Sequence, residues 1–141
     1  MQFDPENKVV KLCAEGMSVE GEPEKARALF QQAWDAATND FEAFTAAHYL
    51  ARHQDTPEDT LKWNLESLNR AKNVQDDGIE ECFPSLYLNV GKSYEDLGNR
   101  QQAFDHYRLA SDYVSFLPAD GFGEMLKRGI DAGLKRTNDF S

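Results

Sequence analysis

Between Tyr87 and Ala110, large and small residues recur at spacings that a pair of antiparallel helices in close contact requires. Tyr87 is followed after two residues by Val90-Gly91 and after two more by Tyr94; Gly98 intervenes; then Ala103, Tyr107 and Ala110 follow at intervals of four and three. In a helix such intervals place side chains on one face. Gly91 and Ala103 let two backbones approach, and Tyr87, Tyr94 and Tyr107 fill the space beside them. Gly98 suits a left-handed residue at the end of the first helix. Asn99 is expected to cap the second helix, with Gln102 completing a capping box.

The same arrangement is found twice upstream. From Val10 the chain offers Cys13-Ala14, Met17, Gly21, then Ala26, Phe30 and Ala33, with Pro23 at a tolerated first-turn position. From Phe44 it offers Ala47-His48, Ala51, then Thr60, Asn64 and Ser67, the second helix opening on Thr56-Pro57-Glu58-Asp59. The third copy follows the second at a longer interval. The extra residues fall near Asn69 to Gly78, as a longer second helix and a loop at Asp76-Asp77-Gly78, with Asp77 and Glu80 as the next cap. Leu117-Pro118-Ala119-Asp120 reads as a stop and restart. A final helix over Gly121–Arg136 follows, its stripe made of Phe122, Met125, Leu126, Ile130 and Leu134.

The motif resembles the tetratricopeptide repeat, W-x2-L-G-x2-Y in one helix and A-x3-F in the next, at a period near 34 residues. The resemblance covers nearly the whole chain and is most specific in the third copy. It implies an all-α, right-handed solenoid forming one domain over residues 1–141. Repeats fall at about 7–40, 41–75 and 84–117, and a capping helix at about 118–137.

Composition limits the functional classes. The net charge of −10 disfavours a nucleic-acid partner, which needs a concentrated basic surface. No apolar run approaches the ~20 residues of a membrane span. The polar, acidic start of the chain is unlike a signal peptide, and two cysteines make no disulfide framework, so a cytoplasmic location is expected. Cys13 occupies a core position and reads as a buried thiol. There is no P-loop, G-x-S-x-G or G-x-G-x-x-G. His48 and His53 are five apart and lack the spacing of a helical zinc pair. No catalytic residue, cofactor or metal is expected, and the oligomeric expectation is a monomer or weak homodimer.

The resemblance implies non-enzymatic binding of a protein or peptide segment in a concave groove lined by the first helices. Groove-facing positions are Lys8, Lys11, Glu15 and Ser18; Glu42, Thr45, Tyr49, Arg52 and His53; and Ser85, Leu88, Asn89, Lys92 and Glu95. Of these, Lys11, Tyr49, Arg52, His53, Asn89 and Lys92 form the candidate partner site, which suits an acidic segment. Lys11 and Asn89 resemble parts of the family's carboxylate clamp, whereas Glu15 and Glu42 depart from it. The middle copy also has a polar interior, with His48 and Asn64 at positions that face each other across the helix pair. They form either a structural hydrogen bond or, with Tyr94, a pocket for a small molecule or an enzymatic reaction. Trp34 and Trp63 pack between helices or, if exposed, offer a surface for self-assembly.

Overall fold

The computed structural model describes residues 4–138, which form helices and turns without a strand. The α-helices are α1 (Lys8–Ser18), α2 (Pro23–Ala36), α3 (Asp40–Leu50), α4 (Pro57–Lys72), α5 (Phe83–Asp96), α6 (Arg100–Asp112) and α7 (Gly121–Thr137). Single 3₁₀ turns lie at Ala51–His53, Ile79–Cys82 and Val114–Phe116. The chain divides into two compact units, one ending at Asp76 and the other beginning at Asp77. Helices α1 to α4 form the first, and α5 to α7 the second.

Helix ends follow local chemistry. Thr56 is an extended N-cap accepting from the Asp59 N–H at 3.1 Å, with Pro57 next. Asp120 caps α7 through the Gly123 N–H at 2.9 Å. The longer second helix of the middle pair is present as α4, and the loop after it turns on Gly78, at φ 90°. Two expected caps are not formed. The Ile79–Cys82 turn runs into α5 with Cys82 already in helical conformation, so Asp77 and Glu80 have no extended cap position to fill. Asn99 makes no side-chain cap because its backbone closes α5 instead. Its N–H binds the Tyr94 carbonyl at 2.9 Å and that of Gly98 binds Glu95 at 3.0 Å, with Gly98 at φ 79°. That double closure is the Schellman arrangement.

In the first unit α1, α2 and α3 pack pairwise, and α3 packs on α4. Its core gathers Val9, Cys13, Ala26, Phe30, Ala33, Ala46 and Leu50. Phe30 is fully buried, and a Cβ added to Gly16 would stand 2.4 Å from its ring. Gly16, not Ala14, is therefore the close-approach residue of α1. The buried face of this helix is Val9, Cys13 and Gly16, and the helix is turned so that Ala14 and Met17 lie outside it, Met17 at 48% exposure.

In the second unit α5, α6 and α7 likewise pack pairwise. The ring of Tyr107, fully buried, lies against two glycines. A Cβ on Gly91 would come within 2.9 Å of it and one on Gly133 of α7 within 2.6 Å. Its hydroxyl donates to Glu95 at 2.7 Å, and Arg136 of α7 donates twice to the same carboxylate at 2.8 and 3.1 Å. Thus α7 attaches through Gly133, Leu126, Ile130 and the Glu95–Arg136 pair. The expected stripe is corrected accordingly: Leu126 and Ile130 are buried, but Phe122 and Met125 are 56% and 53% exposed. They lie about a quarter-turn off the buried line, because Gly133, not a larger residue, sits against Tyr107 and sets the rotation of α7.

Gly133→Ala should destabilise the protein by about 1–3 kcal/mol, because an added methyl has no room beside Tyr107. Gly21→Ala, where a Cβ meets nothing, should be neutral or slightly stabilising. Thermal unfolding of the two variants against the parent measures the contrast. Equal melting points would contradict the ring–glycine contact.

Candidate functional site

Helix α1 exposes a second face beside its buried one. Val10, Ala14 and Met17 repeat at four and three residues and, with Cys13, face Thr45 and Tyr49 of α3. Together they line a cleft of about 160 Å³ whose surface is almost entirely apolar. Of the expected groove positions, Thr45 and Tyr49 line this cleft, whereas Glu42, Arg52 and His53 do not. Lys8, Lys11, Glu15 and Ser18 do not line it, because the Gly16–Phe30 contact sets the rotation of α1. Cys13 in the floor is buried, and burial pushes its thiol up to about 11, so it contributes contact area rather than a nucleophile.

One end of the cleft is built around Tyr49. Its ring stacks on Phe30 at 5.2 Å, and the Arg52 guanidinium lies over it at 5.2 Å. Arg52 donates to Glu20 at 3.0 Å, and His53 meets the other oxygen of Glu20 at 2.9 Å while stacking on Phe30 at 5.6 Å. Glu20 was not among the expected site residues. The clue to it is register: Arg52-His53 end one first helix about one repeat beyond the residue that follows the previous one. Arg52 and His53 are therefore engaged within the unit rather than free. Lys11 pairs with Glu6 at 3.2 Å on the surface. Asn7 caps α1 through Val9 and Val10 and donates to Glu42 at 2.8 Å, and that bond chiefly holds the Glu42 carboxyl below its ordinary range. Glu42 thereby ties the start of α3 to the start of α1, a structural role for a residue expected in the groove.

In the second unit Asn89 is half-buried on α5 and makes a contact of its own. Lys92 is exposed; the hydrogen bond from Arg136 chiefly holds the Glu95 carboxyl below its ordinary range, and Lys92 adds the smallest contribution. Tyr94 stacks obliquely on His106 at 5.2 Å.

In the middle pair Asn64 and Ser67 are buried, and His48 is half-buried. Asn64 is buried and has a partner; Ser67, fully buried, donates to the Phe44 carbonyl at 2.8 Å. Thr60 is turned back to the Thr56 carbonyl at 3.2 Å. His48 has its ring edge-on to Tyr49 at 5.1 Å, and its buried Nδ1 has no hydrogen-bond partner. The expected hydrogen bond is therefore not made through Nδ1. By register His48 takes the place that glycine fills in the third pair, and Asn64 the place of Tyr107.

A larger cleft of about 510 Å³ opens where α2 gives way to α3, beside Trp34, Asp40 and Arg70. Trp34 and Trp63 meet edge to face at 5.0 Å, so both rings are half-buried against each other. Arg70 lies over Trp34 at 5.6 Å and binds Glu66 and Asp40 at 3.0 and 3.2 Å. Its charge is spent within the unit, and that cleft offers a ligand no free cation. Neither cleft is lined by His48 or Asn64. Among the described residues no three metal-ligating side chains converge, and no helix is long and apolar enough to cross a membrane.

Burial, and then the charge of Arg52, lowers the pKa of His48 to about 4, with Glu20 opposing. Above pH 6.5 the imidazole is neutral in both folded and unfolded chains, and its contribution to stability is complete. As pH falls below 6.5 the unfolded chain takes up a proton that the folded one refuses, so stability declines until about pH 4. The full loss is on the order of 3 kcal/mol. His48→Phe should flatten this part of the stability–pH curve in denaturant titrations, whereas an unchanged slope would place the proton uptake elsewhere.

No family model, curated protein or solved structure matches the chain in comparisons with known proteins.

Proposed function

We propose that this chain is a non-enzymatic interaction module of tetratricopeptide type, a right-handed solenoid of helix pairs ended by α7, which holds a protein or peptide segment. The cleft between α1 and α3 is its anchoring point in the first unit. The observation that carries this reading is the apolar lining of Val10, Ala14, Met17 and Tyr49, with Met17 left about half exposed. An apolar cavity of about 150 Å³ is large enough for a benzene-sized ring. The cleft accordingly suits one aromatic or branched aliphatic side chain, with the rest of the segment running over the two helices.

The charged groups nearby tune selection rather than supply the affinity. Arg52 already shares Glu20 with His53, and Lys11 shares Glu6, so an acidic segment competes with internal carboxylates for both cations. Such competition between exposed groups is worth little per pair and fades with salt. An acidic preference is thus a modest bias added to an apolar anchor.

A peptide array varying one bulky apolar position among acidic, neutral and basic neighbours tests the reading. The best binders should carry the apolar anchor and weaken modestly as salt rises. Met17→Glu should reduce their affinity about tenfold or more, because it places a charge in the cleft mouth. Binders that need no apolar residue, or that ignore Met17→Glu, would overturn the assignment.

A further inference from the structure

We propose that the outer face of α7 is a second docking surface, for an acidic segment of a protein partner that carries apolar side chains. It is independent of the α1/α3 cleft and rests on different residues.

Phe122, Met125, Gly129 and Ala132 succeed one another at three- and four-residue steps along α7, so they form one strip. It is not the buried strip, which runs through Leu126, Ile130 and Gly133. Phe122 and Met125 are more than half exposed, and Ala132 is exposed. At Gly129 the strip borders α5: a Cβ there would touch the buried Leu88 side chain at 3.5 Å, an ordinary contact. Phe122 and Met125 are large apolar groups left in solvent, and they make a surface that gains by being covered.

Charge identifies the kind of partner. Helix α7 carries four cations, Lys127, Arg128, Lys135 and Arg136, against Glu124 and Asp131. It stands at +2, and the rest of the chain, with −10 overall, at −12. Arg136 is held by Glu95 and Lys127 by Glu124. Arg128 and Lys135 are exposed and make no ion pair among the described residues, although this chain has carboxylates in excess. They lie seven residues apart, next to Met125 and Ala132 at i, i+3 spacing. Unpaired cations beside exposed apolar side chains complement carboxylates interspersed with apolar groups. The strong negative charge of the remaining chain opposes a second copy as the occupant.

The test uses the whole chain and a dye-labelled synthetic peptide with two leucines one helical turn apart among glutamates. A lysine counterpart serves as its control. The acidic peptide should bind and shift the amide signals of Gly129 and Ala132. Its affinity should fall about tenfold or more in Arg128→Glu/Lys135→Glu and in Phe122→Ser/Met125→Ser. All four side chains are largely in solvent, and circular dichroism verifies that the variants stay folded. Met17→Glu, in the other cleft, should leave this binding unchanged. Equal binding of the lysine peptide, no binding of the acidic one, or insensitivity to both double variants would overturn the proposal. So would binding only to phosphatidylserine vesicles, which would assign the face to a membrane surface. Concentration-dependent dimers that the same variants abolish would assign it to a second copy and would equally overturn it.

Discussion

Each unit is organised around one aromatic ring pressed onto glycine backbone. Phe30 of α2 lies against Gly16 of α1, and Tyr107 of α6 lies against Gly91 of α5 and Gly133 of α7. A helix pair brought this close buries a whole ring without a void, and dense contact at that point determines how the partner helices are rotated. The rest follows from the rotation. Because Gly16 faces Phe30, Val10, Ala14 and Met17 are turned toward α3. Because Gly133 faces Tyr107, Phe122 and Met125 are turned away from α6. The two surfaces with functional potential are therefore consequences of packing, each a face left over once the ring is seated.

The units also share an electrostatic device. In the first, a carboxylate just beyond the end of α1, Glu20, is held by Arg52, which follows α3. In the second, a carboxylate near the end of α5, Glu95, is held by Arg136 of α7. Each arginine comes from the third helical segment of its unit, and each bond spans from the first. These pairs are partly exposed and contribute little stability each. Their effect is geometric: they hold the ends of the first and third helices together beside the aromatic ring. The second unit adds the Tyr107 hydroxyl to the carboxylate, and the first adds the His53 ring.

The middle helix pair shows how the pattern tolerates substitution. His48 and Asn64 stand at the register positions of Gly91 and Tyr107, and this buries an imidazole nitrogen without a partner. An unsatisfied buried group is tolerated only where the surrounding packing compensates. Here α3 is lined by Ala43, Ala46, Ala47 and Leu50, all buried, and α4 by Leu68 and Ala71. The helix pair has apolar contact to spare.

Helical spacing by itself determined where the helices lie and which aromatic and small residues meet at the centre. Tyr107 with Gly91, Phe30 with Ala26 and Ala33, the Thr56 and Asp120 starts, and the left-handed Gly98 all depend on local chemistry or on residues a few positions apart. The polar character of the middle pair was legible for the same reason. Tertiary structure decided the rotation of each helix about its own axis and how the chain closes between helices. Gly16 took the place expected of Ala14, Phe122 and Met125 fell outside the buried stripe, and the backbone of Asn99 closed α5 rather than its side chain capping α6. Periodicity gives the spacing of a helix face, but not which of two small residues, here Ala14 and Gly16, meets the ring of the facing helix. A glycine two positions away can win the contact, since only the facing ring selects between them. The same holds for charge: Lys11, Arg52 and His53 were visible as cations or ligands, but their engagement by Glu6 and Glu20 depends on which loop end comes within about 3 Å, a distance that spacing does not encode.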